Sequence, residues 1–152
     1  MSIIIILYNL RENGDNMHII TCVDNRMGTF FNNRRQSRDA NLCQKVLTLA
    51  GTNKLYMNSY SLPLFKEMEH SNVVVDEDFL KVAGKDDYCF AEGQNISLYL
   101  QNAESLIIFK WNRDYPYDKA LDVNLELWQL QSAEDFAGSS HEKITMEKYV
   151  RG

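Results

Sequence analysis

The chain has 152 residues, 45% of them hydrophobic, with only two prolines and seven glycines. This composition suits one globular domain with a sizeable core and excludes a linker-rich or disordered chain. A net charge of −5 argues against non-specific binding to a nucleic-acid backbone, which needs many Lys and Arg contacts to phosphate, but it leaves room for a local basic patch.

The opening MSIIIILYNL is apolar over a run too short for the ~20 residues that a membrane-spanning helix needs. It also lacks the basic start and small-residue cleavage site of a signal peptide. Residues 1–16 read as an N-terminal extension or an extra edge strand, and residues 17–152 as a single domain. HIITCVD (18–24) is a buried strand, and NRMGTFFNN (25–33) a loop turning at Gly28. Ser37 or Asp39 can cap an amphipathic helix over ANLCQKVLTLAG that Gly51 ends. KLYMNSYS (54–61) predicts a second strand, and LPLFKEMEH a short helix with Pro63 in its first turn.

NVVVDEDFL gives a third strand with a short helix, and DYCFAEG (87–93) a fourth strand ending at a glycine. QNISLYLQNAE predicts a helix and SLIIFKWN (105–112) a fifth strand. LELWQLQSAEDF, the turn GSSHEK and ITMEKYVRG then form a closing antiparallel hairpin. Strands alternating with helices before an antiparallel finish mean α/β: a mixed central sheet flanked by helices. Cys22, Cys43 and Cys89 are odd in number and widely spaced, so they read as small buried residues of a protein kept in a reducing cytoplasm.

Several segments carry candidate chemistry. FNNRRQSRD (31–39) gathers three of the seven arginines within five positions and ends on an aspartate. Arg34, Arg35 and Arg38 can form an anion clamp at a helix entrance, where Arg35 and Arg38 lie one turn apart if the helix begins early. Alternatively they are solvated and make internal salt bridges. Asp39 either works as a lone carboxylate in an apolar cleft or caps the helix beside arginines that lower its pKa. Ser139, Ser140 and His141 invite a nucleophile reading, against which adjacent residues at a hairpin turn more often hydrogen-bond the turn itself. Trp111, Tyr115, Pro116 and Tyr117, with Arg113 beside them, can stack on a flat ligand or pack at a strand end.

The order of elements, with these residues at the joints, resembles the dihydrofolate reductase family across nearly all of residues 18–151. IITCVDNRMG resembles its first strand and D-x-x-x-G loop, here Asp24 to Gly28. RRQSRDANLCQKVL stands where the family has its substrate-side helix, so Asp39 falls close to the single active-site carboxylate. KLYMNSYS resembles the joint V-x-M-G-R-x-T, and YCFAEGQNISLYLQNAESLIIFKW the strand, Gly-Gly turn, helix and strand of the cofactor side. YDKALDV, LWQLQSAEDF and SSHEKITMEKY resemble the last three strands.

The resemblance implies a cleft lined by Asp39, Ser61 and Gly93, with NADPH, a flavin or a pterin as the expected ligand. Departures stand at both phosphate joints. Asn58 and Ser59 replace Gly and Arg, removing a bidentate phosphate donor, and Gln94 replaces the second glycine. Ser59 and Gln94 therefore weaken the NADPH expectation. FNNRRQSRD and EDFAGSSHEKIT also resemble short bacterial proteins labelled ribonuclease Z. That chemistry uses a His-x-His-x-Asp-His cluster around two zinc ions, whereas His18, His70 and His141 are far apart in sequence.

Two functions follow. One is a divergent relative that binds a nucleotide, pterin or other small anionic ligand through Asp39, Arg34, Arg35, Arg38, Ser61, Gly93 and Gln94, without conventional reductase activity. The other is a non-enzymatic regulator or inhibitor that binds a protein partner through its surface.

Overall fold

A computed structural model describes residues 16–152. Residues 1–15, and with them the question of an extension or an edge strand, lie outside the described residues. The strands are β1 (Met17–Val23), β2 (Gly28–Phe31), β3 (Arg34–Arg35), β4 (Leu55–Met57), β5 (Val73–Val75), β6 (Tyr88–Phe90), β7 (Ala103–Lys110), β8 (Lys119–Ala120), β9 (Trp128–Phe136) and β10 (Ile144–Arg151). The α-helices are α1 (Ala40–Ala50) and α2 (Phe79–Val82).

Seven strands form one sheet in the order β5-β4-β6-β1-β7-β10-β9. β1, β4, β5, β6 and β7 run parallel, while β10 lies antiparallel between β7 and β9. This is the mixed sheet with an antiparallel finish that the sequence predicts. A second, three-stranded sheet, β3-β2-β8, takes β2 from a segment that reads as a loop and β8 from YDKALDV, which the resemblance gives as a strand.

Strand alternation sends the apolar side chains of β1 and β7 to two faces. Ile20, Ile107 and Phe109 pack on Leu42, Val46 and Leu47 of α1, whereas Ile19, Leu106 and Ile108 pack on Phe79 and Leu80 of α2. Both faces are buried, which is why these strands read as nearly continuous apolar runs. α1 begins at Asp39, whose side chain accepts from the Leu42 amide, and ends at Gly51 in a positive-φ conformation.

The two other predicted helices are corrected. LPLFKEMEH forms only a 3-10 turn over Leu62–Leu64, because Phe65 turns inward to meet Phe90 edge-on. QNISLYLQNAE forms a 3-10 segment over Ser97–Asn102, held at its start by the Asp122 carboxylate, which accepts from the Ile96 and Ser97 amides. Leu98 is left exposed there, so the apolar stripe of that segment is not a buried helix face.

Candidate functional site

The segment between β3 and α1 carries Gln36, Ser37, Arg38 and Asp39 past the turn joining β9 to β10. Asp39 is buried and both its oxygens are engaged. Oδ1 accepts from the amides of Leu42 (3.1 Å) and Ser139 (3.0 Å). Oδ2 accepts from the Ser140 amide (2.8 Å) and hydroxyl (3.2 Å), and lies 3.0 Å from His141 Nδ1. Burial pushes the Asp39 carboxyl up, but donors from Ser140, Ser139, His141 and Leu42 outweigh it and hold the pKa well below the usual carboxylate range. A carboxylate accepting this many donors has no lone pair in reach for a ligand's amino-pyrimidine edge.

Helix capping by Asp39 is as the sequence allows, but its partner is not an arginine. Gly138 lets the turn close on it: a Cβ there would meet the Asp39 carboxylate and stand 2.9 Å from the His141 carbonyl. His141 stacks on Trp111 with ring centroids 4.6 Å apart. Its Nε2 lies 3.0 Å from both the Ser37 hydroxyl and the Tyr115 hydroxyl.

The three arginines part company. Arg35 donates Nε and Nη2 to the two oxygens of Glu92 at 2.8 and 2.9 Å, and its guanidinium lies 4.2 Å from the centre of the Tyr60 ring. Glu92 also accepts from the buried Ser61 hydroxyl (2.8 Å). Arg34 is exposed on the short strand β3, and Arg38 is exposed in the loop before α1. The one-turn spacing of Arg35 and Arg38 fails because the helix begins only at Ala40. Arg35 is therefore half of an internal ion pair, while neither Arg34 nor Arg38 makes an ion pair among the described residues.

Ser61 and Gly93 do meet at one place, around Glu92. Gly93 has φ 78°, and a Cβ there would lie 2.7 Å from the Phe30 ring, so only glycine fits beside the ring; with Asn58, Tyr60, Glu92 and Gln94 it lines an open cleft of about 700 Å³. Gln94 buries its side-chain oxygen without a hydrogen-bond partner. The space bounded by Cys22, Phe30, Arg35, Ser37, Glu92 and Trp111 is about 10 Å³, no more than one water needs. A cleft of about 450 Å³ opens instead beside α1. Arg38, Asp39 and Ser140 line its polar end, and Cys43, Leu64 and Met68 its apolar wall.

No protein-family model matches the sequence, and no curated protein matches it. A structural match does exist. The chain is similar to dihydrofolate reductase from Enterococcus faecalis, a structure complexed with NADP(H) and RAB-propyl, with a TM-score of 0.64 over 91% of this chain and 97% of that one. The fold is dihydrofolate reductase-like. Sequence identity is only 10%, so the likeness extends to the fold and leaves the site to be judged on its own residues.

On those residues a dinucleotide does not fit this dihydrofolate reductase-like chain. At the joint after β6, Phe30 packs beside Gly93, and the Glu92 carboxylate faces the neighbouring Ser61. At the joint after β4, the Ser59 amide (2.8 Å) and hydroxyl (3.1 Å) both donate to Glu77. Each joint thus presents a carboxylate where the resemblance calls for phosphate donors, and like charges repel. Glu77, Glu92 and Phe30 were not legible as site residues, because their partners come from distant parts of the chain.

No described helix is long and apolar enough to cross a membrane. Among the described residues no group of three or more His, Cys, Asp or Glu could hold a metal ion. His18 pairs with Ser105, His70 with the Met68 carbonyl and His141 with Asp39, each in its own surroundings.

Proposed function

We propose that this dihydrofolate reductase-like protein binds a small anionic ligand with an apolar body in the cleft beside Asp39 and has no reductase activity. The observation that carries the reading is the contrast between consumed and free groups. Asp39 and Arg35 are spent on internal partners, whereas Arg38 is exposed at the mouth of a cleft of about 450 Å³. That volume lies within the ordinary range for small-ligand sites, ~300–1,000 Å³. Leu64 and Met68 offer an apolar wall and Arg38 a charge to orient an anionic end. The first turn of α1 is already capped by the Asp39 carboxylate, and Glu67 also lines the cleft, so the attraction for an anion rests on Arg38 at the mouth.

Two features support the absence of reduction. The saturated Asp39 cannot grip and help protonate a pterin, and the Glu92 and Glu77 carboxylates at the two joints oppose the phosphates of a nicotinamide cofactor. Hydride transfer belongs to the cofactor, so its loss removes the reaction.

Calorimetric titration with a panel of aromatic carboxylates tests the reading. The expected result is saturable binding that Arg38→Ala weakens about tenfold, the value of one charge-assisted contact of ~1.4 kcal/mol. No binding by any member, or binding indifferent to Arg38→Ala, overturns it.

A further inference from the structure

Beyond ligand binding, the chain assembles a nucleophilic constellation from two segments, the loop before α1 and the β9–β10 turn. We propose that Ser37, His141 and Asp39 form a Ser–His–Asp relay able to transfer a small acyl group from an ester to water. Ser37 Oγ lies 3.0 Å from His141 Nε2, and His141 Nδ1 lies 3.0 Å from Asp39 Oδ2. Both separations are hydrogen-bond distances, the requirement for a base to activate a hydroxyl while a third group orients the base. Ser37 and Asp39 lie two residues apart on one segment, and the relay depends on the β9–β10 turn bringing His141 back onto the start of α1.

The tautomer is fixed by the surroundings. Asp39 stays ionised under its four amide and side-chain donors, so the Nδ1 proton points at it and Nε2 keeps its lone pair for a hydroxyl. Stacking on Trp111 holds the ring plane, and the ring is itself buried. Tyr115 completes the arrangement. Its hydroxyl lies 3.0 Å from Nε2 and 3.4 Å from Ser37 Oγ, so it is displaced from Nε2 once that nitrogen takes the serine proton. It is then free to donate to the oxyanion that forms beside Ser37.

Each step balances. Ser37 Oγ forms a bond to the acyl carbon while its proton passes to Nε2, and the carbon–oxygen bond to the leaving alcohol breaks as Nε2 returns that proton to the departing oxygen. Water then attacks the acyl carbon with Nε2 as base. The acid leaves, and the proton goes back to Ser37. Tyr115 also lines an open cleft of about 550 Å³ together with Arg34, Gln36 and Pro116, and the acyl group enters through it. Ser37 itself is partly buried behind Gln36 and Tyr115 and borders only the space of about 10 Å³ beside Trp111, which restricts the acyl group to small unbranched chains such as acetyl.

This reaction does not depend on the anion reading, because the probes are neutral. Full-length protein is treated with a fluorophosphonate and, separately, with 4-nitrophenyl acetate. One phosphonyl adduct on Ser37, located by peptide mass spectrometry, and ester turnover lost at least a hundredfold in Ser37→Ala and His141→Gln support the relay, in line with the ~10²–10⁴-fold that general-base catalysis contributes. Ser132→Ala, on the exposed strand β9, is expected to keep both. Ser37→Ala removes only an oxygen and is expected to melt like the parent, so its result stands even if His141→Gln does not fold. No adduct, an adduct on Ser139 or Ser140, or unchanged ester turnover in Ser37→Ala overturns the proposal.

Discussion

Asp39 shows how one residue can carry both the fold and the site. Its folded pKa is depressed, so its stabilisation is present in full above the unfolded carboxyl value of ~3.9 and is lost as pH falls through the lower folded value. Asp24 and Asp122 are held low in the same sense: burial raises them, and hydrogen bonds, chiefly from backbone amides, more than reverse it. Stability measured by urea unfolding is therefore expected to fall steadily below about pH 4. Asp39→Asn should flatten part of that acid limb and cost about 2–3 kcal/mol near neutrality, because an amide N–H would oppose a donor among Ser140 and His141. An unchanged acid limb in the variant would show that Asp39 does not titrate with folding. Glu92 supplies a second test at this scale. Its side chain is 7% exposed and that of Arg35 20%, so Glu92→Ala strands a mostly buried cation and should cost about 3 kcal/mol in the same assay.

At the scale of elements, legibility followed how local the cause was. β1, α1, β7 and the C-terminal hairpin were readable because periodicity, the Asp39 cap and Gly51 act within a few residues. The β3-β2-β8 sheet was not, since NRMGTFFNNRR is rich in turn formers and its strands exist only where Lys119 and Ala120 arrive to pair with β2. The two lost helices failed for a related reason: Asp122 and Phe90, remote in sequence, decide what those segments do. The same distance hid half of the candidate site. Asp39, Ser61 and Gly93 could be named from their joints, but Glu92, Phe30 and the meeting of Ser37 and Tyr115 at His141 became legible only through contacts across the fold. β10 is the element with most at stake, because it pairs with β7 on one side and β9 on the other. Removing residues 144–152 is expected to abolish cooperative thermal unfolding; a truncated chain that still melts in one sharp transition would contradict this.

For the molecule as a whole, a dihydrofolate reductase-like sheet carries a groove whose floor is filled by the chain's own side chains and whose open part, at Gly93, is lined by carboxylates. Phe30 lies over Gly93, Arg35 and Glu92 close the space between the two joints, and Asp39 turns to His141. Open clefts remain beside Arg38, beside Tyr115 and at Gly93, the last lined also by Asn58, Tyr60, Glu92 and Asp118. Titration of the full-length protein with NADPH, followed by calorimetry, tests the carboxylate-lined groove most directly. No saturable heat is expected up to millimolar cofactor, which places any binding weaker than about −4 kcal/mol. A one-to-one isotherm with micromolar Kd would show that the groove accepts the dinucleotide and would contradict the account.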